Sequence, residues 1–159
     1  MKFKIFLIIS FVLTFLKIYT AEIVDVNYSY FGNFYGKLNL IEGSKKHPVI
    51  IYNYDEYLDF AGEVVARRKG YDMYEYMKLF ESWGFMTFIP TRRGVHINAL
   101  KGAIKYLKNH DRVDSDNIHV IGVSQGAFLS LLSLDPVYKP TSLTLIAPVP
   151  LHAKGKLSL

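Results

Sequence analysis

The stretch Ile118-His119-Val120-Ile121-Gly122-Val123-Ser124-Gln125-Gly126-Ala127 decides how this chain is read. An apolar run leads into Gly122, and a second one, Ala127-Phe128-Leu129-Ser130-Leu131-Leu132, leaves Gly126 uninterrupted by proline or charge. That pattern is strand, sharp turn, helix, with a serine at the tip. The glycines let strand and helix approach without a side-chain clash, and the turn strains the serine backbone so that its hydroxyl is lifted clear. The amide of Gln125, at a helix N-terminus, is placed to donate to a developing oxyanion. Ser124 is therefore the candidate nucleophile for acyl transfer and Gln125 the candidate oxyanion donor. A plain Gly-Ser turn between a strand and a helix is the alternative reading of the same residues.

Upstream, Val24–Phe31 and Tyr35–Ile41 alternate around Gly32-Asn33, which predicts an antiparallel hairpin. Val49-Ile50-Ile51-Tyr52 is short and wholly apolar, as buried parallel strands are. Met73, Tyr76, Met77 and Phe80 have helical spacing within 72–83, and Gly84 closes that helix. Phe85–Ile89 reads as a strand stopped by Pro90, and Ile97, Leu100, Ile104 and Leu107 as the apolar stripe of another helix. Val113–Asn117 reads as a turn, Asp135-Pro136 as a chain break and Ser142–Ala147 as a last strand. A hairpin followed by alternating strands and helices predicts an α/β fold. Its sheet is mostly parallel, with helices on both faces and the site at the strands' carboxyl ends.

The chain has 159 residues, half of them hydrophobic, with eleven Phe, twelve Tyr and no Cys. That supports one domain and excludes disulfides and thiolate metal sites. Lys2 and Lys4, then the apolar run Ile5–Leu16, predict a signal peptide over 1–21 with Ala21 before the cut, and a domain over 22–159. An uncleaved amino-terminal anchor is the alternative. Without Lys2, Lys4 and Lys17, sixteen cations face fourteen acids, so the formal charge of +5 is largely a targeting feature. No nucleic-acid partner, cofactor or metal is expected. Secretion, or export to a periplasm, is.

The chain resembles the α/β-hydrolase superfamily, in the branch of dienelactone hydrolases and prolyl-oligopeptidase-like serine peptidases. The residues that carry the resemblance are Trp83–Gly94, including Pro90-Thr91-Arg92-Arg93-Gly94, then Ala103–Leu107, Val113-Asp114 and Ile118–Ala127. It implies a nucleophile at Ser124, an oxyanion amide at Gln125 and a small-molecule ester, amide or peptide substrate. The family's second oxyanion amide follows the preceding central strand, usually at His-Gly. Here that place reads Tyr54-Asp55, and the amide of Tyr54 or Asp55 is the candidate donor.

The family's acid and base follow the serine on later strands. Thirty-five residues follow Ser124 here, with Asp135 the only acid and His152 the only histidine among them. Asp135 reads as a helix stop. His152 falls on the loop beyond Ala147-Pro148-Val149-Pro150, on the functional rim, and is the candidate base. His47, His110 and His119 read as structural or solvated, and His96, after Arg92-Arg93-Gly94, falls on the functional rim with nothing to couple it to Ser124. The expectation is an exported serine hydrolase truncated after its sixth strand. The alternatives are a catalytically incomplete binding domain and an interrupted gene product.

Overall fold

Val49, Ile50 and Ile51 are buried on both faces of a sheet, and that places their strand near its centre. The computed structural model describes residues 21–92 and 96–149. Its strands are β1 (Ala21–Ser29), β2 (Asn33–Ile41), β3 (His47–Asn53), β4 (Met86–Thr91), β5 (Val113–Val123) and β6 (Ser142–Ile146). Its helices are α1 (Glu56–Ala61), α2 (Glu63–Arg68), α3 (Met73–Ser82), α4 (Ile97–Lys108) and α5 (Gln125–Leu132). They form one six-stranded sheet in the order β1-β2-β4-β3-β5-β6. The hairpin β1–β2 is antiparallel, and β2 lies antiparallel to β4. The remaining neighbours, β4 with β3, β3 with β5 and β5 with β6, are all parallel. The expected α/β class and mixed sheet are therefore what the chain adopts.

Each face of the sheet carries its own apolar cluster. On one, Ala99, Leu100, Ala103, Ile104 and Leu107 of α4 pack on Leu38, Val49, Ile51, Phe88, Ile118 and Val120. On the other, Met73, Met77 and Phe80 of α3 pack on Ile50, Tyr52, Tyr54 and Ile89. Alternate residues of β3 thus feed opposite clusters, the period of two that a strand imposes. Asp72 caps α3 through a carboxylate oxygen that accepts from the Tyr74 N–H at 2.9 Å.

The structure corrects two readings and adds two helices. Pro90 does not stop β4 but lies within it, opposite Gly36 of β2. Pairing with β3 ends at Phe88, so the missing proline N–H falls where that ladder has already ended. Val113–Asn117 is part of β5, not a separate turn, although the register jumps from His47↔Val113 to Val49↔Ile118. The extra residues form a bulge, closed by Asp114, which accepts from the Asp116 N–H and the Asn117 Nδ2. Finally, α1 and α2 occupy 56–68, where no apolar stripe predicts a helix. They are six residues each, begun by the Asp55 cap and by Gly62.

The ring of Phe88 is fully buried and meets Tyr28 edge-on at 5.6 Å between centroids. Phe88→Ala is expected to destabilise the fold by about 3–5 kcal/mol, read as a fall in the urea midpoint.

Candidate functional site

Ser124 lies between β5 and α5 with φ 53° and ψ −120°, a backbone conformation that L-residues avoid. Holding it there costs of order 1–3 kcal/mol, which the surroundings must offset. Two hydrogen bonds, one with the end of β6 and one with Val149 beyond it, do part of this. The Ser124 N–H donates to the Ile146 carbonyl at 2.9 Å, and the Val149 N–H donates to the Ser124 carbonyl at 3.3 Å. On the helix side, the Ala127 and Phe128 N–H groups donate to that same carbonyl.

The glycines explain how strand and helix close on the serine. A Cβ on Gly122 would lie 2.6 Å from the Ala127 Cα and 2.9 Å from Ser130 Oγ. One on Gly126 would lie 2.1 Å from both the Asn53 and the Tyr54 carbonyl oxygens. So α5 rests directly on the backbone that leaves β3. The buried Asn53 side chain locks this contact, donating from Nδ2 to the Gly126 carbonyl and to Ser130 Oγ, each at 2.9 Å. Ser130 Oγ in turn donates to the Gly126 carbonyl at 2.7 Å.

This brings four of the five sequence-predicted site residues to one place. Gln125 is the first residue of α5, so its N–H has no acceptor within the helix. The Asn53 and Tyr54 carbonyls press against Gly126, and Asp55 follows them directly. The carboxylate of Asp55 accepts the Tyr57 N–H at 2.8 Å and caps α1, which gives its charge a partner away from the turn. Glu56 behaves differently and reaches across to accept from Gln125 Nε2 at 2.9 Å. His152 lies outside the described residues.

The other histidines are held elsewhere. His47 begins β3, six residues and roughly 20 Å of strand from its carboxyl end. His119 lies five residues before Ser124, roughly 16 Å along β5, with Nδ1 2.8 Å from Ser142 Oγ. His110 Nδ1 accepts the Arg112 N–H, and His96 stands at the N-cap of α4, edge-on to Phe34. Asp135 accepts the Val137 and Tyr138 N–H groups, which hold its carboxyl below the ordinary range, and lies 3.7 Å from Lys101. It is a turn residue. Among the described residues no cluster of three or more His, Cys, Asp or Glu side chains could hold a metal ion.

Asn53, Glu56, Asp59 and Arg92 belong to the site without having been singled out. An asparagine directly after a wholly apolar strand was the available signal for the first. Burial raises the Asp59 carboxyl above its usual range, against the pull of the Arg92 charge and the Tyr54 hydroxyl. Burial likewise pushes the Tyr54 hydroxyl up to about 12, so it stays a protonated donor to Asp59 at 2.8 Å. On the same rim, a cavity of about 290 Å³ opens between β2 and β4, lined by Phe31, Phe34, Thr91 and Arg92.

Gly126→Ala is expected to cost more than about 2 kcal/mol, because backbone rather than a flexible side chain must give way. Thermal unfolding of the variant beside the parent checks this.

No family model and no curated protein matches the sequence. Solved structures do match. An alpha/beta hydrolase enzyme, MGS-M1, from a Medee basin deep-sea metagenome library aligns with a TM-score of 0.60 and 18% identity, covering 85% of this chain and 60% of that one. Esterase Est22 aligns at 0.55 and 15%, covering 71% and 38%. Alpha/beta hydrolase GrgF from Penicillium sp. sh18 aligns at 0.54 and 16%, covering 70% and 41%. The chain spans less than two thirds of the length of these structures, and over the shared part its fold is that of the α/β hydrolases.

Proposed function

We propose that this chain is a serine hydrolase, cleaving an ester or amide bond through an acyl-enzyme at Ser124. The observation that carries the reading is the strained backbone of Ser124 at a strand-to-helix turn walled by two glycines. A nucleophile must be presented clear of its own strand, and a strained residue between a strand and a helix does that.

In this mechanism Ser124 Oγ adds to the substrate carbonyl, and its proton passes to a base and on to the departing alcohol or amine. The tetrahedral oxyanion lies between the Gln125 N–H and the amide of Tyr54 or Asp55. Water then attacks the acyl-enzyme and releases the acid. His152 is the candidate base, since its loop follows β6, whose end is bonded to the Ser124 backbone. Base assistance of this kind contributes about 10²–10⁴ in rate. The basic start and apolar run of residues 1–21 support export, with an ester, amide or peptide substrate outside the cytoplasm.

The test is the intact mass of the full chain after treatment with a fluorophosphonate, beside Ser124→Ala. One adduct on the parent and none on the mutant is the expected result. A folded parent that takes no adduct would favour the binding-domain reading, in which the turn is present without a working base.

Glu56 supplies a second expectation. Its carboxylate is bonded to Gln125 beside the forming oxyanion, where a like charge opposes the reaction. Glu56→Gln retains an acceptor for Gln125 and removes the charge. It should raise the labelling rate of Ser124 about 3- to 10-fold at neutral pH, with the gain shrinking as added salt screens the charge.

A further inference from the structure

Arg92 follows β4, yet its side chain is almost completely buried and its recorded contacts converge on one segment of the neighbouring strand's exit. Its Nη2 donates to the Asp55 carbonyl at 2.8 Å and lies 3.2 Å from Asp59 Oδ2. The guanidinium carbon stands 4.4 Å over the centroid of the Tyr54 ring. The Arg92 backbone N–H donates to the Tyr54 hydroxyl at 3.1 Å, and that hydroxyl donates to Asp59 Oδ1. Tyr54 is therefore gripped by ring and hydroxyl, while Asp55 is gripped by its carbonyl. The peptide between them, whose N–H belongs to Asp55, is clamped from both sides. Its carbonyl presses on Gly126.

Stability is a poor reason for such a residue. Burying a guanidinium is costly, and among the described residues Nε and Nη1 have no hydrogen-bond partner. A methionine of similar reach would pack the same space without that penalty. A planar, permanently charged fork is useful where several acceptors must be held in fixed relation.

We infer that Arg92 is a positioning residue: through Tyr54, Asp55 and Asp59 it holds the segment that leaves β3 in place and so positions the second oxyanion amide. The inference rests on Ser124 being the nucleophile.

The experiment uses the full chain, Arg92→Met and Asp59→Asn. It measures fluorophosphonate labelling over a range of concentrations, to separate the maximal rate from the half-saturating concentration. Thermal midpoints and amide hydrogen exchange over residues 53–58 accompany it. For Arg92→Met the expected result is a maximal labelling rate lowered about 10- to 100-fold with little change in half-saturation, the cost of misplacing a catalytic group slightly. The thermal midpoint stays level or rises, and exchange over 53–58 quickens. An unchanged labelling rate in folded Arg92→Met overturns the inference and leaves the hydrolase reading intact. Should Arg92→Met fail to fold, Asp59→Asn decides, because it loosens the same clamp while keeping an acceptor for Tyr54. A labelling rate equal to the parent's would then overturn the inference. A folded parent that is never labelled removes the hydrolase reading instead. Exchange then judges the clamp alone: faster exchange supports it, and unchanged exchange overturns it.

Discussion

Backbone lies against backbone where α5 meets the exit of β3, and the rest of the site depends on that contact. With only a hydrogen on Gly126, the carbonyls of Asn53 and Tyr54 come within reach of the helix start, and any Cβ there would overlap them. The same closeness brings the start of α5 and the segment after β3 together beside Ser124. Asn53 spans the junction with two donated hydrogen bonds, so a buried amide side chain does what apolar packing cannot. Strain at Ser124 is tolerable because these neighbours over-determine its position.

The sheet order serves that junction. β3 and β5 are adjacent and parallel, so both deliver their carboxyl ends to the same rim, and β6 adds the carbonyl of Ile146 to the back of the turn. β4 occupies the other side of β3, which lets Arg92 reach the Tyr54–Asp59 segment from its own strand end. The bulge in β5 absorbs the mismatch between a long strand and a short partner at the opposite rim, leaving the register regular from Ile118 to Gly122.

Of the six buried polar residues among those described, three lie around this site. They are Asn53, Arg92 and Ser130, and among the described residues Asn53 Oδ1 and Arg92 Nε and Nη1 have no hydrogen-bond partner. Apolar residues would be less costly in the same volume. Nature's usual reason to accept that cost is geometric control, and the partners of each group lie on the two walls that flank Ser124.

What the sequence by itself determined is local. Apolar runs and their spacing identified the hairpin, β3, α3, α4 and β6, because the periods of strands and helices follow from backbone geometry alone. The turn around Ser124 was legible for the same reason, since two glycines and a serine between a strand and a helix constrain their own dihedrals. The short helices α1 and α2 were not legible, having too few turns for a stripe to emerge. Nor was Pro90 within β4, because only the reach of β3 decides whether its absent N–H matters. Asn53 and Gly126 are 73 residues apart, and Arg92 and Asp55 are 37 apart. Their contacts exist only once the sheet order is set, so tertiary structure alone decided how the walls of the site are held.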